Sequence, residues 1–237
     1  MMETTSSGKI LILFDIDGTL LDMHGAGRRA FIRALKTTFG WDDDLEYIHF
    51  SGTTDMAVFH RVLQERGLPY RDEEARLFFE QLPEELRRTV AGQQTRLYPG
   101  TRELLEFLSE HPRAVAGLVT GNIESCARIK LESADLHGHF TLGAFGHEHA
   151  DRNEIARLAM VRATRQLIPG ESFARLFLIG DTPSDVRAAQ HIGATSIAVA
   201  TGTPSIETLR DAGADYVLED LSDLSLLQSI LGISGDR

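Results

Sequence analysis

The chain has 237 residues, of which 24 are basic and 35 acidic, so its formal net charge is −11. Hydrophobic residues make up 42% and charged residues 25%, a composition typical of globular rather than disordered proteins. The acidic balance argues against a partner such as nucleic acid, whose phosphate backbone requires a basic face. The single cysteine, Cys126, excludes an intramolecular disulfide and a cysteine-based zinc cluster.

Nothing in the sequence points to a membrane. No apolar run approaches the ~20 residues that a spanning helix requires. Residues 1–9 are polar and lack the apolar segment of a secretory signal. We therefore expect a soluble, cytoplasmic protein without a membrane partner.

Short apolar runs alternate with helical patterns along most of the chain. The first run, Lys9–Phe14 (KILILF), is typical of a strand that is buried on both faces of a parallel sheet. Similar runs predict strands at Ala114–Val119, Leu176–Ile179, Ser196–Ala200 and Asp215–Leu218, with a weaker candidate at Phe140–Phe145. Periodic patterns between them predict helices at Thr101–Leu108, Asn153–Leu167, Pro183–Ile192 and Glu207–Ala212. This alternation predicts an α/β fold with a Rossmann-like parallel sheet.

One long stretch interrupts the alternation directly after the first strand. Its amphipathic patterns predict three helices, at Gly25–Phe39, Thr54–Glu65 and Asp72–Val90, the last kinked or split by Pro83. We therefore predict a core domain formed by residues 1–20 and 97–237, and an inserted helical domain formed by residues 21–96.

Carboxylates and glycine turns follow three of the predicted strands, in the segments Asp15–Thr19, Thr120–Asn122 and Gly180–Asp185. Because the carboxyl ends of parallel strands meet at one edge of the sheet, we expect these segments to converge. Clustered carboxylates require a cation, and hard oxygen ligands favour Mg²⁺. Glycine turns that lead into helices are typical anion sites. The combination predicts chemistry on a phosphate ester, with a small phosphorylated metabolite as the partner.

These segments also carry a family resemblance. Asp15-Ile16-Asp17-Gly18-Thr19-Leu20 resembles the first motif of the haloacid dehalogenase-like hydrolase superfamily. Thr120-Gly121-Asn122 resembles its second motif, and Gly180-Asp181-Thr182-Pro183-Ser184-Asp185 resembles its fourth. The resemblance implies that family's Rossmann-like core with a helical cap at residues 21–96. It also implies a phosphatase of the phosphoglycolate phosphatase-like branch.

The resemblance further implies a role for each motif residue. Asp15 is expected to attack phosphorus and form an aspartyl-phosphate. Asp17 is expected to act as general acid and then as general base. The implied Mg²⁺ ligands are the Asp15 carboxylate, the Asp17 backbone carbonyl and the Asp181 carboxylate, with Asp185 supporting them. Thr120, Gly121 and Asn122 are expected to bind the phosphoryl group.

The third motif departs from the usual pattern, in which a lysine lies between the second and fourth motifs. Here the favoured candidate is Arg152, just before a predicted helix, because arginine supplies a fixed charge and two parallel donors. Lys130 is the competing lysine in this interval. It falls in the middle of a helix, and we expect its role to be structural.

The inserted segment offers one candidate for substrate contact, the loop Ser51–Asp55. Thr53 and Thr54 in this loop could contact the leaving group, or one of them could cap the helix that begins near Asp55. Lys36, the insert's only lysine, is placed away from this loop, which argues against Schiff-base cleavage of a phosphonate.

Three readings of the function stay open at this point. A phosphatase acting on a small phosphomonoester is favoured. A sugar-phosphate mutase could use the same residues, and a non-catalytic phosphate-sensing or partner-binding module could use the same fold. Asp15, Asp17 and Asp181 are all present, which favours an enzyme, and Asp17 favours phosphoryl transfer over dehalogenation.

Overall fold

A six-stranded, fully parallel sheet forms the centre of the protein, in a computed structural model that describes residues 8–233. Residues 1–7, most of the segment in which we expect no secretory signal, lie outside the described range. The strands of this sheet are β1 (Lys9–Phe14), β4 (Ala114–Val119), β5 (Leu142–Ala144), β6 (Phe173–Gly180), β7 (Thr195–Val199) and β8 (Tyr216–Leu218). Their order across the sheet is β5-β4-β1-β6-β7-β8, which places β1 at the centre. The predicted α/β fold with a parallel sheet is confirmed.

The alternation of side chains along β1 explains why helices cover both faces of the sheet. Ile10 and Ile12 contribute to one hydrophobic cluster, whereas Leu11 and Leu13 contribute to another on the opposite face. The helices are α1 (Ala26–Phe39), α2 (Asp55–Glu65), α3 (Asp72–Val90), α4 (Thr101–Glu110), α5 (Glu124–Glu132), α6 (Arg152–Arg165), α7 (Pro183–His191), α8 (Ile206–Asp211) and α9 (Leu224–Leu231). Buried alanines of α6 and α7 belong to the cluster of Leu11 and Leu13, and buried apolar residues of α4, α5 and α9 belong to the cluster of Ile10 and Ile12.

Helices α1, α2 and α3 lie between β1 and β4 in the chain, as predicted for residues 21–96. Aromatic side chains pack them together, with the ring of Phe78 centred 4.6 Å from Phe31 and 4.8 Å from Phe59. Of the two outcomes expected at Pro83, a kink or a split, the split does not occur, because α3 runs unbroken from Asp72 to Val90. Pro83 itself is buried within the helix.

The sequence patterns did not predict the strands β2 and β3 or the helix α9. A short antiparallel ribbon pairs β2 (Leu21–Asp22) with β3 (Arg96–Leu97), at the two ends of the helical insert. Helix α9 packs Leu227 and Leu231 into the core. Among the residues that the structure describes, no helix is long and apolar enough to cross a lipid bilayer.

Candidate active site

A cavity of about 470 Å³ lies at the carboxyl ends of the central strands. Predicted site residues that line it are Asp15, Asp17, Thr53, Gly121, Asn122, Arg152 and Asp181. Thr54, Thr120 and Asp185 are buried beside it. The structure therefore brings all three motif segments and the predicted loop of the insert to one place.

Three buried carboxylates form the centre of the site. Oxygen atoms of Asp15, Asp181 and Asp185 lie within 4.8 Å of one another. The Thr19 hydroxyl donates a hydrogen bond to Asp181 at 3.1 Å. Gly202 makes room for the same carboxylate, because a Cβ atom built on it would lie 1.7 Å from Asp181 Oδ2. This close approach explains why the loop after β7 carries a glycine here.

The electrostatics of this cluster indicate a site for a cation. Burial raises the pKa of Asp15 to about 7, and repulsion from Asp185 adds to the effect. Burial also raises the pKa of Asp181 to about 9, together with repulsion from Asp15 and Asp185. Because burial and mutual repulsion both oppose ionisation, a divalent cation between the oxygens would stabilise the charged forms. The donor set, carboxylate oxygens alone, suits a hard cation.

Arg152, the first residue of α6, provides the positive charge on one side of the cluster. Its Nη2 atom lies 2.7 Å from Asp15 Oδ1 and 2.7 Å from Asp185 Oδ1. The same atom donates to the carbonyl of Val119 at 3.1 Å. Its Nε is buried without a hydrogen-bond partner among the described residues, so one donor of the guanidinium is left for a further acceptor.

Asp185 is fixed by the start of α7. Its Oδ2 accepts hydrogen bonds from the backbone N–H and the hydroxyl of Thr182, at 3.0 and 2.6 Å. Thr182 in turn caps the helix, as its sequence position before Pro183 predicts. A capping box thus holds one carboxylate of the cluster rigidly.

The second motif presents donors at the end of β4. Asn122 donates to the Thr120 hydroxyl oxygen through its backbone N–H at 3.2 Å and through its side-chain amide at 2.7 Å. Both bonds use the hydroxyl oxygen as acceptor, which keeps its proton for another partner. Gly121 permits a close approach of the insert, because a Cβ there would lie 2.2 Å from the Thr53 carbonyl oxygen.

Lys130 differs from its expected structural role. Its side chain is 4% exposed and lines the cavity, and its Nζ contacts both carboxylate oxygens of Asp17, at 2.7 and 2.6 Å. The sequence analysis weighed Lys130 against Arg152 and did not place it in the site. The signal in the sequence is that Lys130 is the lysine between the second and fourth motifs.

The loop of the insert docks against the core by main-chain hydrogen bonds. Thr54 caps α2 by accepting from Ala57 N–H at 3.1 Å, and its hydroxyl donates to the Ala150 carbonyl at 2.9 Å. The capping role is therefore confirmed for Thr54. Thr53 lines the cavity, while its hydroxyl donates to the carbonyl of His49.

Asp55 and Cys126 also line the cavity beside Lys130. The Asp55 carboxylate accepts from Ile123 N–H at 2.8 Å, and burial raises the pKa of Asp55 to about 6. Cys126 is 3% exposed, and burial raises the pKa of its thiol above the usual range. Asp55 is the last residue of the predicted loop Ser51–Asp55, whereas Cys126 lies outside every segment from which the site was predicted.

Carboxylates and anion donors at the carboxyl edge of a parallel sheet define a class of α/β enzymes that act on phosphate groups. The sequence profile of the family described as haloacid dehalogenase-like hydrolase matches residues 12–199. The chain belongs to this family, which confirms the resemblance stated from its motifs.

Curated relatives cover nearly the whole chain. The probable phosphatase IndB of Dickeya dadantii is 29% identical over 221 residues, which span 91% of this chain and 92% of the relative. The phosphoglycolate phosphatase of Synechococcus elongatus is 28% identical over 218 residues, spanning 90% of this chain and 94% of the relative. These relatives are phosphatases by name, as the resemblance implied.

Solved structures share the fold. A hydrolase from Pseudomonas syringae superposes with a TM-score of 0.69 at 24% identity, covering 94% of this chain and 99% of the other. CbbY from Rhodobacter sphaeroides, solved with xylulose-(1,5)bisphosphate, also gives a TM-score of 0.69, at 21% identity, covering 92% of this chain and 96% of the other. At these identities the comparison shows a common fold.

Proposed function

We propose that the protein is a Mg²⁺-dependent phosphatase that hydrolyses a small phosphomonoester through an aspartyl-phosphate on Asp15. One observation carries the proposal: the Asp15 carboxylate lines the cavity, 2.7 Å from Arg152 Nη2 and within 4.8 Å of the buried carboxylates of Asp181 and Asp185. A nucleophile there has fixed positive charge beside it and room for a phosphoryl group in front of it. The names of the curated relatives support the same activity.

The chain's own residues account for each step. The Asp15 carboxylate attacks phosphorus, and the P–O bond to the leaving group breaks as Asp17 gives its proton to the leaving oxygen. Asp17, now ionised, takes a proton from the water that attacks the aspartyl-phosphate, which releases inorganic phosphate and regenerates Asp15. Arg152, the Thr120 hydroxyl and the Asn122 backbone N–H are proposed to bind the phosphoryl oxygens.

The carboxylate cluster fits Mg²⁺ as the resident cation. Asp15 and Asp181 would hold it, together with the Asp17 backbone carbonyl, and Asp185 would orient them. The ion would offset the negative charge that an anionic nucleophile and an anionic ester bring together. Its removal by a chelator is expected to abolish hydrolysis.

The domain organisation is proposed on related grounds. The ribbon that pairs Leu21 with Leu97 and Asp22 with Arg96 brings the two ends of the insert side by side. This pairing supports a core of residues 1–20 and 97–237 with a helical cap of residues 21–96. The cap would cover the cavity, and Thr53 would lie nearest the leaving group.

Hydrolysis of p-nitrophenyl phosphate, followed by a panel of phosphomonoesters, tests the function. We expect Mg²⁺-dependent phosphate release by the wild type, none by Asp15→Asn, and a phosphoryl adduct on the quenched wild-type protein by mass spectrometry. Equal inactivity of both proteins across the panel would refute an enzyme and favour the binding module. Isomerisation of a sugar phosphate without phosphate release would establish the mutase instead.

A further inference from the structure

Within the part of the chain that the structure describes, Lys130 makes three polar contacts through its Nζ, all with residues of the site. Its Nζ lies 2.7 and 2.6 Å from the two carboxylate oxygens of Asp17 and 2.6 Å from Asn122 Oδ1. An ammonium group has three N–H donors, so these contacts use its full capacity. Lys130 is therefore saturated by residues of the site and has no donor left for a substrate oxygen.

Asp17 depends on these contacts for its orientation. Its side chain is 46% exposed, in contrast to Asp15, which is 7% exposed and closely packed. What holds the Asp17 carboxylate is Lys130 and the Asn122 side-chain amide, which donates to Oδ2 at 2.7 Å. A half-exposed carboxylate is thus tied to α5, a rigid helix, rather than left to the turn in which it lies.

These hydrogen bonds leave one lone pair of the Asp17 carboxylate unused. A carboxylate offers about four lone pairs. Lys130 uses one on Oδ1 and one on Oδ2, and Asn122 uses the second on Oδ2. The remaining lone pair, on Oδ1, is where a proton can be held for transfer.

Packing alone does not account for a lysine at this position. Taking an ammonium out of water is unfavourable unless it is paired, and an apolar side chain would fill the same space without that penalty. Only three of the chain's 24 basic residues are lysines, yet this one is buried and directed at Asp17. The ion pair with the Asp17 carboxylate therefore accounts for the burial of Lys130 better than packing does.

We propose that Lys130 is a positioning residue that acts through Asp17, holding its carboxyl group so that Oδ1 delivers a proton to the leaving oxygen. The proposal rests on the proposed function. Arg152 serves Asp15, and Lys130 serves Asp17, so each carboxylate of the first motif has its own cation from a different helix. This division explains how both an arginine and a lysine belong to the site.

A comparison of leaving groups tests it. p-Nitrophenolate leaves without a proton, whereas an alkoxide requires one, so only the alkyl ester depends on a correctly placed Asp17. For Lys130→Met we expect kcat/KM for the best alkyl phosphate of the panel to fall by ~100-fold or more, the usual contribution of general acid catalysis. kcat/KM for p-nitrophenyl phosphate, which reports the first phosphoryl transfer, should change far less, and KM should rise for neither substrate.

Two further variants make the test specific. Lys36→Met serves as the matched control, because Lys36 lies on the surface and pairs with Asp42, and it should leave both rates unchanged. In the Asp17→Asn background, adding Lys130→Met should lower kcat/KM by less than about threefold further. A residue that acts through Asp17 has no carboxylate left to position in that background. This double variant removes both charges of the pair, so it stays informative if Lys130→Met alone fails to fold.

The contradicting results are equally definite. A parallel fall for both substrates, a rise in KM for both, or a clear further loss in the Asp17→Asn background would overturn the proposal. These outcomes leave the proposed function intact as long as Asp15→Asn abolishes a Mg²⁺-dependent wild-type activity. A wild type without any phosphate release refutes the function itself.

Discussion

Raising the pH from 6 to 8 without divalent cations is expected to destabilise the folded protein, and Mg²⁺ is expected to reverse the trend. The cause is the carboxylate cluster, in which burial and repulsion raise the pKa of Asp15 to about 7 and of Asp181 to about 9. In the unfolded chain both groups ionise near pH 3.8. Between pH 6 and 8 the folded state therefore binds more protons than the unfolded state, and its stability falls as the pH rises.

The magnitude follows from the number of protons. One proton held only by the folded state corresponds to about 1.4 kcal/mol per pH unit. Asp181 retains its proton throughout this interval, so the loss from pH 6 to 8 is about 3 kcal/mol, with Asp15 adding to it near pH 6. A cation at one hundred times its dissociation constant returns about 2.7 kcal/mol.

Urea unfolding at pH 6, 7 and 8, with EDTA or with excess Mg²⁺, measures both effects. In EDTA the free energy of unfolding should decrease at each step, and in Mg²⁺ the decrease should largely disappear. Asp181→Asn cannot ionise at this position, so the decrease in the EDTA series should be smaller and limited to the part that Asp15 contributes. A free energy that rises with pH in EDTA, or a slope that Mg²⁺ leaves unchanged, would refute the electrostatic reasoning.

Three other predictions concern single side chains. Gly202→Ala places a Cβ 1.7 Å from Asp181 Oδ2 and should therefore weaken Mg²⁺ binding. The Mg²⁺ concentration that gives half of the maximal increase in Tm should rise by about 10–100-fold. An unchanged concentration would contradict the close approach. Thr54→Val removes the cap of α2 and should cost about 1–2 kcal/mol in urea unfolding, with Thr53→Val, which caps no helix, costing less. Glu85 is 1% exposed and pairs with Arg33 and Arg88, which are more than half exposed. Glu85→Ala should therefore lower the free energy of unfolding by about 1–3 kcal/mol. A loss no larger than that caused by Glu84→Ala, at an exposed position, would contradict the reasoning.

Elements with a strong local pattern were predictable to the residue. β1 and β4 are continuous apolar runs bounded by polar residues, and both have the predicted ends, Lys9–Phe14 and Ala114–Val119. The ribbon of β2 and β3 was not predictable, because two residues on each side carry no periodic signal. Pro83 does not split α3, although a proline within a helix is normally costly, because the residues around it pack into the core shared with α1.

The residues of the site also differ in how well the sequence predicts them. Asp15, Asp17, Asn122 and Asp181 follow directly from their positions at strand ends, and the structure brings them to one cavity. Lys130 does not, because its side chain reaches Asp17 from a helix more than a hundred residues further along the chain. Such a contact depends on how α5 packs against the sheet, which no local pattern records.

The burial of Cys126 also makes it a reporter of opening. Its thiol is 3% exposed, and its raised pKa keeps it protonated, so thiol reagents should react slowly while the cavity is closed. As the chain's single cysteine, it needs no removal of competing thiols before labelling. The rate of its modification, followed with and without a phosphate ester, would measure how often the wall of the cavity beside α5 becomes accessible to solvent.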